Sequence, residues 1–262
     1  MRIKLFQIDA FTDKIFGGNP AAVCPLNNWL SDTVLLNIAK ENNLAETAYF
    51  IHKSDNVFHL RWFTPEIEID LCGHATLASA YVILNCLDYN FETVVFETMS
   101  GELIVSKNGE FLEMNVPSRP SIKAELPQII IDSLSKQPSK VYKARDYVLV
   151  YDSEYDIQNL KVSASILEQI NLGPGGIIVT AKGDNSDFVS RFFTPGASVF
   201  EDPVTGSAHC TLVPFWASRL DKNELHAFQI SERKGELICK LLDDRVLIKG
   251  KAVKYLEGSI EI

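Results

Sequence analysis

The sequence predicts an α+β chain of two homologous halves, each built of many strands around one central helix, and three observations carry that reading. Residues 61–77, RWFTPEIEIDLCGHATL, return in altered form as residues 191–212, RFFTPGASVFEDPVTGSAHCTL. In both copies an Arg-aromatic-Phe-Thr-Pro strand end leads into a short acidic loop and then a glycine. Arg61 matches Arg191, Gly73 matches Gly206, and Gly101-Glu-Leu-Ile matches Gly235-Glu-Leu-Ile, at offsets of 130, 133 and 134 residues. That slow drift is what small loop insertions leave between duplicated copies. Finally, Gly73 and Gly206 each open a run without formal charge. The run is too long for one strand and apolar on nearly every side, which predicts a helix wrapped by strands.

Length and composition agree. A chain of 262 residues accommodates two domains of about 130, and the repeat places them at 1–117 and 118–262, with the C-terminal strands free to cross back. At 46% hydrophobic and 23% charged it has the composition of a globular protein with a sizeable core. A net charge of −9 and a pI near 5.1 disfavour nucleic acid and anionic membrane as partners, since both require clustered Lys and Arg. The longest uncharged run, 71–87, carries Gly, His, Thr, Ser and Asn, which argues against a membrane span. The opening MRIKLFQIDAF enters strand-like sequence without a signal core, so a cytoplasmic location is expected. Five cysteines with no CxxC pair speak for reduced thiols over a disulfide framework or a zinc site.

In chain order, residues 2–10 read as a strand, and Gly17-Gly18-Asn19-Pro20 as a turn before the apolar segment 21–24. Ser31 caps a helix through about Glu41 with Val34, Leu35 and Ile38 on one face. Strands follow at 48–51 and 57–63, the second alternating Phe58, Leu60, Trp62 against Val57, His59, Arg61. After the first uncharged run come strands at 94–97, 102–106 and 111–116, the last two joined at Asn108-Gly109, a strong hairpin signal. Beyond the linker 117–120, a helix is expected at 127–135, a strand at 141–151, a short helix at 163–170 and strands at 176–180 and 188–193. The second uncharged run, 203–218, contains Pro214, which predicts a kinked or brief helix. The remainder, 228–242 and 246–262, reads as antiparallel strands.

The chemistry gathers at the two helix starts, Gly73-His74-Ala75-Thr76 and Gly206-Ser207-Ala208-His209. Free backbone N–H groups and the positive end of the dipole face outward there. If a pseudo-two-fold axis relates the halves, both starts point into one cleft, which would hold a carboxylate or enolate without lysines. The plain alternative is that each glycine serves only a tight turn. Glu46, at the entry to an apolar strand beside Leu44, Tyr49 and Phe50, is a general-base candidate or a solvated strand-end residue. His74 is a catalytic acid or a helix-start hydrogen bonder. Asp202, four residues before Gly206, is a further catalytic candidate or merely an acidic residue near a helix start, which the dipole alone favours. Cys72 is a thiol whose pKa the dipole lowers, or an inert buried cysteine.

Gln7-Ile-Asp-Ala-Phe-Thr with Gly18-Asn-Pro-Ala-Ala-Val, then Asn43-Leu-Ala-Glu-Thr, Leu71-Cys-Gly-His-Ala-Thr and Glu201-Asp-Pro-Val-Thr-Gly-Ser-Ala-His, resemble the phenazine biosynthesis PhzF-like family. The resemblance runs from near the start to at least His209. It implies the diaminopimelate epimerase-like fold, two similar halves in which a barrel-like, mostly antiparallel set of strands surrounds a central helix. It implies an isomerase that needs no cofactor or metal and moves a proton on trans-2,3-dihydro-3-hydroxyanthranilate or a related small anionic metabolite. The family's glutamate base falls on Glu46, its glycine-histidine pair on Gly73 and His74, its aspartate on Asp202, and its glycine-serine pair on Gly206 and Ser207. A homodimer is typical of the family.

The related epimerases and proline racemases use two thiols, one before each central helix. Here Cys72 fills the first position and Thr205 the second. A hydroxyl with a pKa far above neutral does not replace a thiolate, so the reading is one carboxylate base with polar helpers and not a symmetric racemase or epimerase. Its rival from another class is a small-molecule binding or scaffold protein that kept the fold and lost the reaction.

Overall fold

The computed structural model describes residues 1–173 and 175–262. The chain divides into two units, Met1–Val116 with Leu247–Ile262, and Pro117–Val246.

In the first unit, β1 (Arg2–Ala10) pairs antiparallel with β2 (Asn19–Leu26). The helix α1 (Asp32–Asn42), with Ser31 as N-cap, leads to β3 (Glu46–Ser54), which lies parallel to β2. Leu35, Ile38 and Ala39 are the buried positions of α1, and they pack on Ile3, Leu5, Cys24, Tyr49 and Phe63 of the sheet, with Val34 at the edge. Next come β4 (Val57–Phe63), β5 (Glu68–Ile69), α2 (Gly73–Asn85), β6 (Thr93–Thr98), β7 (Gly101–Asn108) and β8 (Phe111–Pro117). The alternation of β4 is as read, with Phe58, Leu60 and Trp62 buried and Val57, His59 and Arg61 half-buried. Between Asn108 and Phe111 the two-residue turn places Gly109 at φ +64, a left-handed conformation for which the missing Cβ suits it.

β4 and β6 pair in parallel, so α2 is the crossover of a β-α-β unit. Its length matches the uncharged run, and residues 74–80 and 82–84 are all buried. A helix with no polar face has nowhere to lie but inside, and α2 packs against β1, β2, β3 and β7.

The second unit repeats the plan. It comprises β9 (Ile122–Lys123), α3 (Gln128–Ser133), β10 (Lys140–Lys143), β11 (Tyr147–Val150), α4 (Glu154–Asn159), α5 (Ala164–Leu167), β12 (Ile177–Lys182), β13 (Phe188–Phe193), β14 (Glu201–Asp202), α6 (Gly206–Leu220), β15 (Glu224–Gln229) and β16 (Gly235–Leu241). β11 and β12 run parallel, as β2 and β3 do, and β13 pairs in parallel with β15 around α6, as β4 does with β6 around α2. The helices α3, α4 and α5 bury Ile130, Ile157 and Leu167 against Leu149, Ile177, Val179 and Phe193. Two strands complete the chain, β17 (Arg245–Gly250) and β18 (Ala252–Glu261), and β18 returns to the first unit, antiparallel to β1 and against α2.

The repeated Arg-aromatic-Phe-Thr-Pro motif has a physical reason. Arg61 donates through Nε and Nη2 to both oxygens of Glu68, at 2.7 and 2.6 Å, and Arg191 does the same to Glu201, at 2.7 and 2.8 Å. Each guanidinium also lies over the phenylalanine two residues on, 5.1 Å from Phe63 and 5.0 Å from Phe193. The backbone N–H groups of Thr64 and Thr194 close the loops on the carbonyls of Ile67 and Phe200, both at 2.9 Å. The acidic residue after the motif is therefore the arginine's partner, and the pair fixes the loop that delivers the chain to the central helix.

Three expectations needed correction. Residues 141–151 are two antiparallel strands, β10 and β11, because Arg145 and Asp146 interrupt the apolar pattern and turn the chain. A helix absent from the sequence reading, α4, starts at Ser153, whose hydroxyl accepts the Asp156 N–H. Finally, α6 is not brief but runs 15 residues through Pro214. Proline lacks the N–H that would reach the carbonyl of Cys210, and the Arg119 N–H takes that carbonyl instead at 2.8 Å. No helix of the described residues is long and apolar enough to cross a membrane.

Candidate active site

In the first unit three elements begin at one place: β2 at Asn19, β3 at Glu46 and α2 at Gly73. The parallel register of β2 and β3, Ala21 opposite Glu46, brings the first two together. His74, 3% exposed, is enclosed by all three. Its Nε2 lies 3.0 Å from Glu46 Oε2, and its Nδ1 lies 3.1 Å from Asn19 Nδ2 and 3.5 Å from Cys72 Sγ. The Glu46 contact is close but not aligned as a hydrogen bond, so Oε2 and Nε2 each keep a free direction. With Nδ1 accepting from Asn19, the neutral ring carries its proton on Nε2, facing Glu46.

The titration of this cluster follows from its charges. Burial opposes a charged His74 imidazole, but negative charge on Cys72 and Glu46, together with the Cys72 contact at Nδ1, outweighs it and raises its pKa well above the ordinary value. Burial pushes the Cys72 thiol itself up to about 11. Desolvation thus overrides the helix dipole at Cys72, and the thiol is a poor nucleophile. The donor atoms of Glu46, Cys72 and His74 lie within 4.8 Å of one another.

In the second unit Asp202 ends β14 and Gly206 opens α6. The Asp202 carboxylate accepts the hydroxyl of Thr205. Gln229, fully buried, accepts the Thr205 N–H at 2.8 Å and donates to the Asp202 carbonyl at 2.7 Å, locking the loop. Ser207 Oγ accepts a hydrogen bond from Arg145 Nη2 at 2.9 Å. Neither Cys72 nor Thr205, the N-caps of α2 and α6, caps its helix with its side chain. Instead Thr76 and His209, at matching positions, donate back to the carbonyls of Cys72 and Thr205.

The structure thus brings Glu46, Gly73 and His74 together in one unit and Asp202, Gly206 and Ser207 together in the other. Sequence reasoning missed Asn19, Gln229 and Arg145. The motif containing Asn19 was visible, a polar residue inside apolar sequence. Arg145 was hidden by reading its turn as strand, and Gln229 left no local signal because its partners lie more than twenty residues away.

The two buried histidines shift in opposite senses, which gives a pH prediction. Burial lowers His209 from 6.5 to about 4, its Nε2 having no partner among the described residues. A base depressed by folding contributes stability that is full above the unfolded value and lost as pH falls through the folded one, so acidification from about 6.5 to 4 removes roughly 3 kcal/mol through His209. His74, raised, contributes stability that is full below 6.5 and lost as pH rises through its folded pKa. Urea titrations of the wild type and His209→Asn at pH 7 and 4.5 should show the variant losing less stability on acidification. Equal losses would contradict this account.

The model of the phenazine biosynthesis-like protein family, PhzC-PhzF, matches residues 8–258. A Pseudomonas aeruginosa protein named an uncharacterized isomerase is 45% identical over 262 residues, covering 100% of both chains. A crystal structure of a PhzF family protein from Enterococcus faecalis superposes with a TM-score of 0.94 at 41% identity, again over 100% of both chains. A probable proline racemase from Agrobacterium radiobacter, at 10% identity and a TM-score of 0.65 over 99% of this chain and 92% of its own, shares the fold. The architecture is the diaminopimelate epimerase-like α+β fold, and an end-to-end relative is one named an isomerase. From its repeated β-α-β units to relatives that match it end to end, the chain belongs to the phenazine biosynthesis-like PhzC-PhzF family.

Proposed function

We propose that the protein is a cofactor-independent isomerase that moves a proton on a small, cyclic, unsaturated carboxylate. Glu46 takes a proton from a carbon made acidic by the adjacent unsaturated system and redelivers it to another carbon of the same molecule, leaving atoms and charge balanced. His74, Asp202 and Ser207, with the Gly73 and Gly206 amides, hold the substrate's carboxylate and polar substituents. The observation that carries the reading is the Glu46 carboxylate itself, its side chain 16% exposed and placed against a fixed imidazole, with Oε2 lacking an aligned hydrogen-bond partner among the described residues. A general base needs that combination of fixed position and an open lone pair. Incubation with trans-2,3-dihydro-3-hydroxyanthranilate in D2O tests it: deuterium appearing at carbon is expected, and saturable binding without exchange would mark a binding protein instead.

Support for one base over a two-thiol racemase comes from the residues before each helix. Thr205 is committed to Asp202 and Gln229, and Cys72 is 5% exposed with its pKa pushed to about 11. Cys72→Ser should therefore retain most activity. Iodoacetamide should alkylate Cys86, the one cysteine that is not buried, without inactivation. A loss from Cys72→Ser as large as that from removing the Glu46 carboxylate would sink the one-base reading.

A further inference from the structure

Resting on the reading that the protein binds a small carboxylate, we propose that Arg145 is the residue that receives the carboxylate, with Asp146 as the positioning residue behind it. Both lie in the second unit, on the turn between β10 and β11.

The argument starts with how firmly Arg145 is held. Its Nε and Nη2 donate to the two oxygens of Asp146 at 3.2 and 3.1 Å, and Asp146 is only 1% exposed. Asp146 is itself fixed, because the Gly176 N–H donates to its Oδ1 at 2.8 Å. The neighbouring backbone is fitted to this: a Cβ on Gly175 would lie 2.8 Å from the Arg145 carbonyl oxygen. A buried carboxylate with three donors on it is an anchor, and the guanidinium it holds is oriented in advance of any ligand.

What Arg145 is aimed at matters more. Its Nη2 donates to Ser207 Oγ at 2.9 Å, in the first turn of α6. That is the wrong end of a helix for a cation, since the N-terminus carries positive partial charge and cations are favoured at the C-terminus. Arg219, in the last turn of the same helix, has the favourable placement and donates to the Phe215 carbonyl. Arg119 adds a further charge nearby: burial raises the Cys210 thiol to about 11, and Arg119 and Arg145 both pull it down. The Arg145 guanidinium therefore sits at the positive end of α6 in a chain of net charge −9. Only Asp146 answers Arg145 there, and the two N–H groups of Arg145 Nη1 meet no acceptor among the described residues. A planar anion accepting from Nη1 would relieve that repulsion. The Ser207 hydroxyl, already an acceptor for Arg145, still has its own proton to donate to such an anion.

The probes are anthranilate and anthranilamide, one ring with a carboxylate and its neutral amide counterpart, titrated calorimetrically into the full chain. Anthranilate should saturate the wild type, and Arg145→Gln should weaken it by about 10- to 100-fold, the range expected for a charge-assisted hydrogen bond. Arg145→Lys should fall between, keeping the charge and losing the fork. Binding of the amide should be the same in the wild type and both variants, which also reports that they are folded. Undiminished anthranilate affinity in Arg145→Gln, parallel loss of acid and amide, or no saturation of the wild type would each overturn the proposal. Arg145-dependent binding with no deuterium exchange at carbon would leave it standing and refute the isomerase reading. Exchange that depends on Glu46 while anthranilate ignores Arg145 would do the reverse.

Discussion

Glu46→Gln should lower kcat by at least about a hundredfold while ligand affinity and folding hold. General acid or base catalysis by a positioned side chain is worth about 10² to 10⁴ in rate, and glutamine keeps the shape without the ability to take a proton. Affinity should change little, and a carboxylate ligand should bind slightly more tightly once a nearby negative charge is gone. The cost to stability should stay within about 1 kcal/mol, since Glu46 Oε2 makes no aligned hydrogen bond in the folded protein. One spectroscopic effect accompanies the kinetic one. His74 loses a negative neighbour, so its imidazole should titrate at lower pH in the variant, readable from its ring resonances. Near wild-type turnover by Glu46→Gln would show that the base is another group, with Asp202 or His74 next in line.

The largest effect on stability is expected at Arg191. Its guanidinium makes four hydrogen bonds: two to Glu201 and two, at 3.0 and 2.8 Å, to the carbonyls of Ile157 and Leu160. Its side chain is 15% exposed, so truncation strands a carboxylate and two carbonyls where water reaches them poorly. Breaking such a pair from one side costs about 3 kcal/mol or more. The matching arginine of the first unit, Arg61, reaches Glu68 and the exposed Asp32, a charge that water solvates readily. Urea unfolding should therefore place Arg191→Met well below Arg61→Met in midpoint at similar slope. Equal midpoints would mean that the two backbone carbonyls contribute nothing.

These two arginines also show how much was legible in the sequence. The repeat, the central helices and most strands were, because burial leaves a period in the residues: Phe58, Leu60 and Trp62 alternate, and 74–84 lack a polar face. Long-range satisfaction of polar groups leaves no period. That Arg119 would take the carbonyl released by Pro214 depends on two segments ninety residues apart, so the proline was read as leaving a helix either kinked or brief. The same holds in the site. Glu46 and His74 were visible as motifs, whereas the clamp of Gln229 on Thr205 and the fork of Asp146 on Arg145 exist only once strands have paired. Residue 145 was hidden because the strand-like residues 141–142 and 147–151 on either side made the turn read as the middle of one strand.

The pairing of β18 with β1 bears on how the molecule is made. During synthesis the first strand leaves the ribosome early, pairs with β2 on one edge, and then waits with its other edge bare until nearly the whole sequence has followed. The second unit, one unbroken segment, is free to fold in that interval, so the unit that begins first is the one completed last. Bare strand edges are templates for unwanted pairing. The vulnerable species in a cell is then a nascent chain with a finished second unit and an open first one, and quality control would meet the protein in that form.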